Sequence, residues 1–449
     1  MKRLFRKAAA LGVAIAVAVT GTASAANLIR DAEIEATLGK LSAPIFRAAG
    51  LDPNSIELLI LQDSSLNAFV FGGRNMVFHT GLLERLDRPE KLMGVMAHET
   101  GHIIGGHLTR RALNMQAMQG PLAVGLLLAA LAGAAAGDAQ VGVAGALGAE
   151  SALRRSLLAY SRGEESSADQ AGATYMEKAG IDPAYVLDVL KIFRGQEVFQ
   201  AGNVDPYAIS HPLSSERLAL LEDRAARSRA KGESASADLV YWHARMRAKL
   251  SAFTDSPERT LAALDSAADP ESEINLLRRA VALHRLPNPS GSLKAVEQLI
   301  ALRPNDPYYW ELKGQILFES GRGADAVEPY RRAVSLAPNE ALIRGGLGRA
   351  LLALNDPARD AEALATLEGA ALAGASEPSM LRDLALAYAR AGDDGKAALA
   401  TAERYALTGQ PRDALRHAHR ALDQLPVGSP GWLRADDIRA VAERALSDK

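Results

Sequence analysis

The spacing of apolar and polar positions changes along the 449-residue chain and predicts different elements in successive segments. Short apolar runs in residues 55–78, interrupted by Gly72-Gly73, predict a small antiparallel sheet with a glycine hairpin turn. Apolar positions then recur at helical spacing over residues 92–108. Asp87, followed three residues later by Glu90, predicts a capped start for this helix. We therefore expect a small sheet followed directly by a buried helix.

The carboxyl-terminal part of the chain is periodic. Pro304-Asn305 and Pro338-Asn339 lie 338 − 304 = 34 residues apart, which is the period of the two-helix tetratricopeptide repeat. The positions between them that fit this pattern are Trp310, Gly314, Gly321, Ala326, Tyr330 and Ala333. Looser copies follow, the segment with Ala295 and Leu299 is interpreted as an opening half-repeat, and a shortened unit ends at Pro426. Because each helix pair buries its apolar face only against its neighbours, the pattern predicts an α-solenoid.

The first residues have the features of an export signal. A basic start precedes an apolar run from Ala8 to Val19 and a small-x-small pattern at Ala23-Ser24-Ala25, which predicts a signal peptide cleaved near Ala25. The run has about half of the ~20 residues that a membrane span requires. The chain has no cysteine, which excludes disulfides and thiolate metal ligands and suits a periplasmic protein. Its 51 basic and 53 acidic residues nearly balance, so the charge indicates no nucleic-acid partner.

The predicted buried helix contains the pattern His98-Glu99-Thr100-Gly101-His102. Histidines four residues apart lie on the same helix face, so both imidazoles can bind one zinc ion while Glu99 acts beside it as general base. The alternative, two ordinary core histidines, leaves Glu99 as a buried carboxylate without a partner, which is costly. The sequence therefore predicts a zinc peptidase with one Zn²⁺ per chain.

A catalytic zinc usually has three protein ligands, and His107 is a nearby candidate for the third. It is one residue away from the position at which a metzincin pattern would place a histidine. On a continuing helix, His107 would lie roughly 140° around the axis from His102 and would point away from the metal. We therefore interpret His107 as a structural or surface histidine.

A better third ligand lies 165 − 102 = 63 residues beyond His102. In a helix, Glu165, Ala168, Asp169 and Gly172 would form one stripe of two acids and two small residues. Small residues allow two helices to approach closely, so we predict Glu165 as the third ligand and Asp169 as the acceptor of the far N–H of a ligand histidine. An ordinary charged helix face is the alternative.

An edge strand beside the metal would hold an extended substrate by its backbone. The run Asn67-Ala68-Phe69-Val70, just before the predicted zinc helix, is the candidate for that strand, with Asn67, Ala68 and Phe69 as substrate-binding residues. A purely structural hairpin explains the same run equally well.

The pattern Ser161-Arg162-x-x-Glu165-x-x-Ala168-Asp169 after His-Glu-x-x-His resembles the HtpX-like gluzincin family of zinc metallopeptidases. The resemblance implies Glu165 as the third zinc ligand, and the family has an Asp at the position that matches Asp169. The segment from Ser210 to Arg217 resembles the family's His-Pro segment ending in Arg. It implies that His211 lies near the metal, where it either steadies the oxyanion during catalysis or occupies the open zinc position in a self-inhibited form.

Residues 122–149 consist almost wholly of Ala, Gly, Leu and Val. The first apolar run ends at Gly137 after 16 residues, or about 24 Å of helix, which is shorter than the ~30 Å of a bilayer core. We interpret the segment as a flexible helical hairpin that covers the cleft or contacts the membrane surface, because its glycines weaken any helix. A membrane span is the alternative, since membrane-embedded relatives carry spans near this position.

Together these patterns predict a mainly α protein with a small antiparallel β-sheet. The predicted order is a signal peptide (1–25), a gluzincin-type zinc metallopeptidase domain (26–230), a helical linker (231–270) and an α-solenoid of tetratricopeptide repeats (271–449). The layout resembles that of periplasmic chaperone-proteases of outer-membrane protein quality control. That resemblance implies unfolded or misassembled outer-membrane proteins as substrates and the β-barrel assembly machinery as a partner of the repeats. The alternative is a periplasmic scaffold or chaperone with a latent, self-inhibited peptidase domain.

Overall fold

A computed structural model describes residues 28–71, 73–107, 162–193, 211, 213–375 and 377–447. The predicted signal peptide and the segment 122–149 lie outside this part of the chain. The chain divides into two compact units. The first, Glu35–Arg247, contains the His-Glu-x-x-His pattern and is called the motif unit. The second, called the repeat unit, contains Ala248–Lys449 and the amino-terminal segment that ends at Ile34.

Four strands form one mixed sheet with the order β1-β2-β4-β3. They are β1 (Leu28–Ile29), β2 (Glu57–Leu61), β3 (Ala68–Phe71) and β4 (Asn75–His79). The predicted hairpin is present, since β3 and β4 pair antiparallel with Ala68 opposite Phe78. The strands β2 and β4 pair parallel, so the expectation of an all-antiparallel sheet is wrong. Alternation of apolar residues specifies which face of a strand is buried, but it carries no information on strand direction.

The helices that include residues of the motif unit begin before the sheet and continue after it. They are α1 (Ala32–Ala48), α2 (Thr80–Arg85), α3 (Pro89–Gly105), α4 (described over 162–178), α5 (Ala184–Ile192), α6 (Ser215–Ala226) and α7 (Ala237–Thr254). None of the helices in the described part of the chain combines the length and the apolar content that crossing a bilayer requires.

Helix α3 is buried over nearly its whole length, as its apolar spacing predicted. Its predicted cap is wrong, because the helix begins at Pro89 after Arg88, and no side chain caps it. Proline needs no hydrogen bond to its nitrogen and has a helical φ, so it starts a helix without a capping side chain. Asp87 instead pairs with Lys91 at 2.7 Å, and Glu90 accepts from the Nε of Arg88 at 3.2 Å.

The repeat unit consists of helices that pack against their neighbours in the chain. After α7 come α8 (Pro257–Asp265), α9 (Glu273–Arg285), α10 (Pro289–Leu302), α11 (Pro307–Glu319), α12 (Gly323–Leu336), α13 (Ala341–Ala353), α14 (Pro357–Ala373), α15 (Pro378–Arg390), α16 (Asp394–Leu407), α17 (Pro411–Gln424) and α18 (Pro430–Ser447). The supposed opening half-repeat is a complete pair, α9 with α10, and α18 follows the residue at which the array was expected to end.

Large side chains of one repeat helix fill positions where a neighbouring helix has glycine. The ring of Tyr330 is buried, and a β-carbon placed on Gly314 or Gly346 would lie 2.8 Å or 2.5 Å from its atoms. Leu367 occupies the same kind of position against Gly348. The glycines of the repeat pattern therefore make room for apolar side chains.

Candidate metal centre

Helix α3 carries both histidines of the motif on one buried face. The Nε2 atoms of His98 and His102 lie 3.1 Å apart, and the ring centroids are separated by 4.8 Å. Between them, the hydroxyl of Thr100 donates to the carbonyl of Met96 at 2.6 Å. One turn of helix separates the two rings, so both inner nitrogens point to the same small space.

Helix α4 crosses α3 at backbone contact distance. A β-carbon on Gly101 would lie 2.9 Å from the Cα and carbonyl oxygen of Ala168, and one on Gly172 would lie 3.1 Å from the backbone nitrogen of His98. The two glycines thus allow the close approach. It places Glu165 with one carboxylate oxygen 3.3 Å from the His98 Nε2 and the other 3.3 Å from the His102 Nε2.

His211 is the fourth polar side chain of this cluster. Its Nδ1 lies 3.2 Å from the His98 Nε2 and 3.0 Å from Glu165 Oε2. Its Nε2 lies 3.4 Å from a carboxylate oxygen of Glu99, the remaining acid of the motif. The structure therefore brings His98, Glu99, His102, Glu165 and His211 together, although they are far apart in the sequence.

The cluster has the donors and the spacing of a metal site. One ligand atom from each of His98, His102, Glu165 and His211 lies within 4.8 Å of all the others, and all four residues are buried. In a tetrahedral site with metal–ligand bonds of about 2.0–2.1 Å, ligand atoms are separated by about 3.3 Å. The distances between neighbouring donor atoms here are 3.0 to 3.3 Å. Nitrogen and carboxylate donors at this spacing fit a bound metal ion.

Asp169 lies behind His98, as the stripe on α4 predicted. Its Oδ1 is 3.0 Å from the Nδ1 of His98. Arg217 at the start of α6 donates to both oxygens of Asp169, from Nε at 2.6 Å and from Nη2 at 2.8 Å. The Nη1 of Arg217 also lies 3.3 Å from Glu165 Oε2. Arg217 thus pairs with both acids of the stripe.

Reasoning from the sequence missed this role of Arg217, which was noted only as the end of a resembling segment. A signal was present, because two acids buried on one helix stripe need a buried cation to compensate their charge. Arg217 is 2 % exposed, and its Nη1 also donates to the backbone oxygen of His211 at 3.5 Å. It therefore connects α4 to the segment that carries His211.

Burial and ion pairs separate the pKa values of the two motif histidines. Burial opposes the charged form of His98, but hydrogen bonds to Asp169 and Glu165 outweigh it and raise its pKa to about 10. Burial lowers the pKa of His102 to about 3. Burial would raise the pKa of Glu165, yet the charge of His211 and hydrogen bonds from the surrounding histidines hold it well below its usual range. The hydrogen bonds from Arg217 and His98 likewise outweigh burial and lower the pKa of Asp169.

His107 is not one of the four clustered ligand residues, but its ring lies against His102, so the helical phase predicted for it is wrong. Its Nδ1 is 2.8 Å from the Nδ1 of His102, and only 2 % of the residue is exposed. The helical phase used for the prediction does not apply, because α3 ends at Gly105 and Gly106 adopts a left-handed backbone with φ of 62°. This reversal returns the side chain of His107 to the last turn of the helix.

The predicted substrate-binding run begins at Asn67 and continues into β3, which is at the edge of the sheet formed by the described strands. The backbone oxygen of Ala68 is 3.4 Å from the Nε2 of His211, so this part of the strand borders the cluster. The side chains of Asn67 and Ala68 are buried, and the ring of Phe69 packs edge-on against His79. The backbone of the run, rather than its side chains, therefore faces the cluster.

Comparison with known proteins gives the family of each part. Residues 29–225 match the sequence model of peptidase family M48, and residues 253–428 match a tetratricopeptide repeat model. A protein named beta-barrel assembly-enhancing protease from Yersinia pestis is 25% identical over 429 residues, which are 94% of this chain and 86% of that protein. Its namesake from Escherichia coli (strain K12) is 25% identical over 432 residues, 93% of this chain and 86% of that protein.

Among solved structures, the chain resembles MamA MSR-1 C2, with 19% identity and a TM-score of 0.31 over 37% of this chain and 94% of that one. The chain therefore carries a peptidase family M48 domain followed by tetratricopeptide repeats, and it is a metallopeptidase. The predicted fold class is confirmed, apart from the parallel strand pair. The repeats indicate a surface for binding other proteins.

Proposed function

We propose that this chain, a family M48 metallopeptidase with tetratricopeptide repeats, is a zinc-dependent endopeptidase that acts in protein quality control of the bacterial envelope. One observation carries the proposal: the buried ligand atoms of His98, His102, Glu165 and His211 lie within 4.8 Å of one another, beside the carboxylate of Glu99. A structural role alone would not require this many ionisable groups in one buried cluster.

The donor set favours zinc as the metal. Zinc binds imidazole nitrogens and carboxylate oxygens, and catalytic sites supply three protein ligands and keep one position open. His98 and His102 would bind through Nε2, and Glu165 would bind through its carboxylate. Asp169 would orient His98 from behind, through the contact at 3.0 Å. A zinc ion bound there lowers the pKa of a water molecule toward neutrality and polarises a peptide carbonyl.

The remaining residues of the cluster have separate tasks. Glu99 takes a proton from the attacking water and later passes it to the leaving amine. Its carboxylate is buried beside the ligands. The backbone of β3 at Ala68 borders the cluster and is the proposed edge for an extended substrate, with Asn67 and Phe69 on either side.

A second candidate function follows from the position of His211. Its Nδ1 lies 3.2 Å from the His98 donor atom and 3.0 Å from that of Glu165, which is the separation of neighbouring ligand atoms. It therefore occupies the position that a metal-bound water would take. We propose that this is a resting, self-inhibited form and that the side chain of His211 leaves this position before substrate binds. In that form, the protein acts as a scaffold or chaperone through its repeats, with a latent peptidase.

The substrates and partners proposed here come from the relatives. Proteins named beta-barrel assembly-enhancing protease align with more than nine-tenths of this chain. We propose that the chain is exported to the periplasm after cleavage near Ala25, degrades or assists misassembled outer-membrane β-barrel proteins, and uses its repeats to contact the β-barrel assembly machinery. The segment 122–149, proposed to touch the membrane surface, lies outside the described residues.

The test compares Glu99→Gln with the exposed-site control Glu297→Gln in the zinc-loaded full-length chain. Cleavage of casein and of an unfolded outer-membrane β-barrel protein should fall about 10²–10⁴-fold in Glu99→Gln, because the general base is lost, while bound zinc is unchanged. Glu297→Gln should cleave normally. Appreciable cleavage by the metal-loaded Glu99→Gln variant would contradict the proposal.

Two further variants separate the metal from the latency. His98→Ala and Glu165→Ala should lose metal together with activity, as metal analysis of the purified protein would show. His211→Ala should keep its zinc and cleave faster than the unchanged chain if His211 blocks the site. A zinc-loaded protein that is inert both with and without His211 would favour the scaffold function.

A further inference from the structure

We propose that His107 is a positioning residue of the metal site, which accepts a hydrogen bond from the Nδ1–H of His102 and so orients that ligand toward the metal. The inference rests on the proposed metallopeptidase function and extends it to a residue outside the His-Glu-x-x-His pattern. His107 touches neither the metal nor the substrate in this arrangement. It acts through His102.

The two motif histidines have the same arrangement on the inner side of the cluster and different partners on the outer side. Each directs Nε2 inward, where the two atoms lie 3.1 Å apart. The outer Nδ1 of His98 faces the carboxylate of Asp169 at 3.0 Å. The outer Nδ1 of His102 faces the Nδ1 of His107 at 2.8 Å, with the ring planes at 80°. Metal-binding histidines almost always donate their second N–H to such a partner.

Metal binding at the Nε2 of His102 determines which nitrogen carries the hydrogen. Two ring nitrogens 2.8 Å apart form a hydrogen bond only if one is protonated and the other is not. When His102 binds a metal through Nε2, its remaining hydrogen is on Nδ1, so His102 donates. His107 must then accept at Nδ1 and carry its own hydrogen on Nε2. His102 therefore has a neutral partner, His107, whereas His98 has a charged partner, Asp169.

The neutral partner suits its surroundings. On the His98 side, the charge of Asp169 is compensated by the two hydrogen bonds from Arg217. For the ring of His102, a neutral imidazole supplies an acceptor without adding a buried charge that would need a second arginine. Both His102 and His107 are at most 4 % exposed, so solvent is a poor substitute for the missing acceptor.

Two consecutive glycines build this contact. Gly106 takes the left-handed backbone that ends α3, and its N–H bonds to the carbonyls of His102 and Ile103. A β-carbon on Gly105 would lie 2.4 Å from the Nε2 of His107 and 2.8 Å from two carbons of the same ring. Gly105 therefore leaves the space that the ring of His107 occupies. A side chain there would displace His107 from His102.

The test uses two substitutions of nearly equal size in the full-length chain. In His107→Asn, the Oδ1 replaces the accepting Nδ1, whereas His107→Leu removes the acceptor and keeps the bulk. The zinc dissociation constant, measured by competition with a chelator, should rise about 10–100-fold in His107→Leu and stay within about 3-fold in His107→Asn. Gly105→Ala should resemble His107→Leu. His419→Asn, at an exposed histidine of the repeat unit, is the control and should bind zinc normally.

Equal zinc affinity of His107→Leu and the unchanged chain would overturn the inference, and so would equal weakening by Leu and Asn. A second measurement needs no folded Leu variant. In the zinc-loaded chain with ¹⁵N-labelled histidine, the His107 signal, assigned by its loss in His107→Asn, should show hydrogen on Nε2 and none on Nδ1. Hydrogen on Nδ1 would contradict the proposed direction of donation. Failure of the unchanged chain to bind zinc would instead contradict the proposed function itself.

Discussion

The metal cluster of the motif unit and the central helices of the repeat unit bury different kinds of side chain. In the metal cluster, ionisable groups from α3, α4 and the segment of His211 meet across sequence separations of 46 to 113 residues. In the repeat unit, a core cluster joins apolar residues of helices α11 to α15, each packed on helices nearby in the chain. The metal cluster thus depends on compensated charge, and the central repeat helices depend on local apolar packing.

The glycines show the same difference. Gly101 and Gly172 lie where two helix backbones meet, so little can move if either gains a side chain. Gly348 and Gly369 lie against side chains, those of Leu367 and Arg344. Backbone contact positions the polar cluster to within a fraction of an ångström, whereas side-chain contact tolerates small shifts. A metal site therefore requires more exact positions of its helix backbones than a binding array does.

The largest expected effect comes from Arg217→Met in the motif unit. Removing this cation leaves the buried carboxylate of Asp169 without its bidentate partner, so the free energy of unfolding should fall by about 3–5 kcal/mol. Chemical denaturation, followed by the fluorescence of Trp242 with Trp310 and Trp432 replaced by Phe, measures it. Arg224→Met, on the same helix α6 and half-exposed beside Glu177, should cost less than about 1 kcal/mol. Similar losses in both variants would contradict the stabilisation assigned to the buried ion pair between Arg217 and Asp169.

In the repeat unit, Leu367→Ala should cost about 3 kcal/mol, because it opens a cavity against Gly348 in a fully buried position. The zinc affinity of the motif unit should stay unchanged, since repeat helices transmit stability mainly to their neighbours. Unfolding curves and chelator competition measure the two quantities. Leu372→Ala on the same helix α14 is 71% exposed and serves as the control. Weakened zinc binding in Leu367→Ala would contradict the expected independence of the metal site from the repeat helices.

A matched pair of glycine substitutions tests the difference in tolerance. Gly101→Ala should destabilise the chain by about 1–3 kcal/mol and weaken zinc binding, because its β-carbon meets the backbone of Ala168 at 2.9 Å. Gly369→Ala meets only the end of the Arg344 side chain, which can move, and it should be neutral or stabilise by up to about 1 kcal/mol. Denaturation curves of the two variants give the comparison. A stabilised Gly101→Ala would disprove the role assigned to backbone contact.

The smallest effect concerns His243, a buried histidine of the motif unit outside the metal cluster. Burial, aided by the charge of Arg247 and opposed by Glu90 and Asp87, lowers its pKa from 6.5 to about 4. The unfolded chain therefore binds a proton at His243 more readily than the folded chain does. The contribution of neutral His243 to the free energy of unfolding is complete above pH 6.5 and is lost as the pH falls toward 4. Between pH 7.5 and 5.5, the unchanged chain should lose about 1 kcal/mol more than His243→Gln. Denaturation curves at both pH values measure these losses. An equal loss of unfolding free energy in the unchanged chain and in His243→Gln would contradict the prediction.

Much of the site could be predicted because it depends on local periodicity. His98 and His102 share a face through their spacing of four residues, and Glu165, Ala168 and Asp169 share a stripe by the same geometry. The 34-residue period of the repeats is equally local. The predictions that were wrong concern features without periodicity. The helix begins at Pro89 without the predicted cap at Asp87, and the apolar alternation of β2 did not indicate its direction. The helical phase predicted for His107 does not apply after the left-handed backbone of Gly106.

Helical spacing and residue type are properties of short segments, so the main elements and the division into a metallopeptidase part and a repeat part could be predicted from the chain alone. The contacts of His211 with His98, of Arg217 with both buried acids and of His107 with His102 arise only when the chain folds. These contacts join segments across turns and irregular stretches, whose course depends on the packing of the whole unit and leaves no periodic signal in the chain.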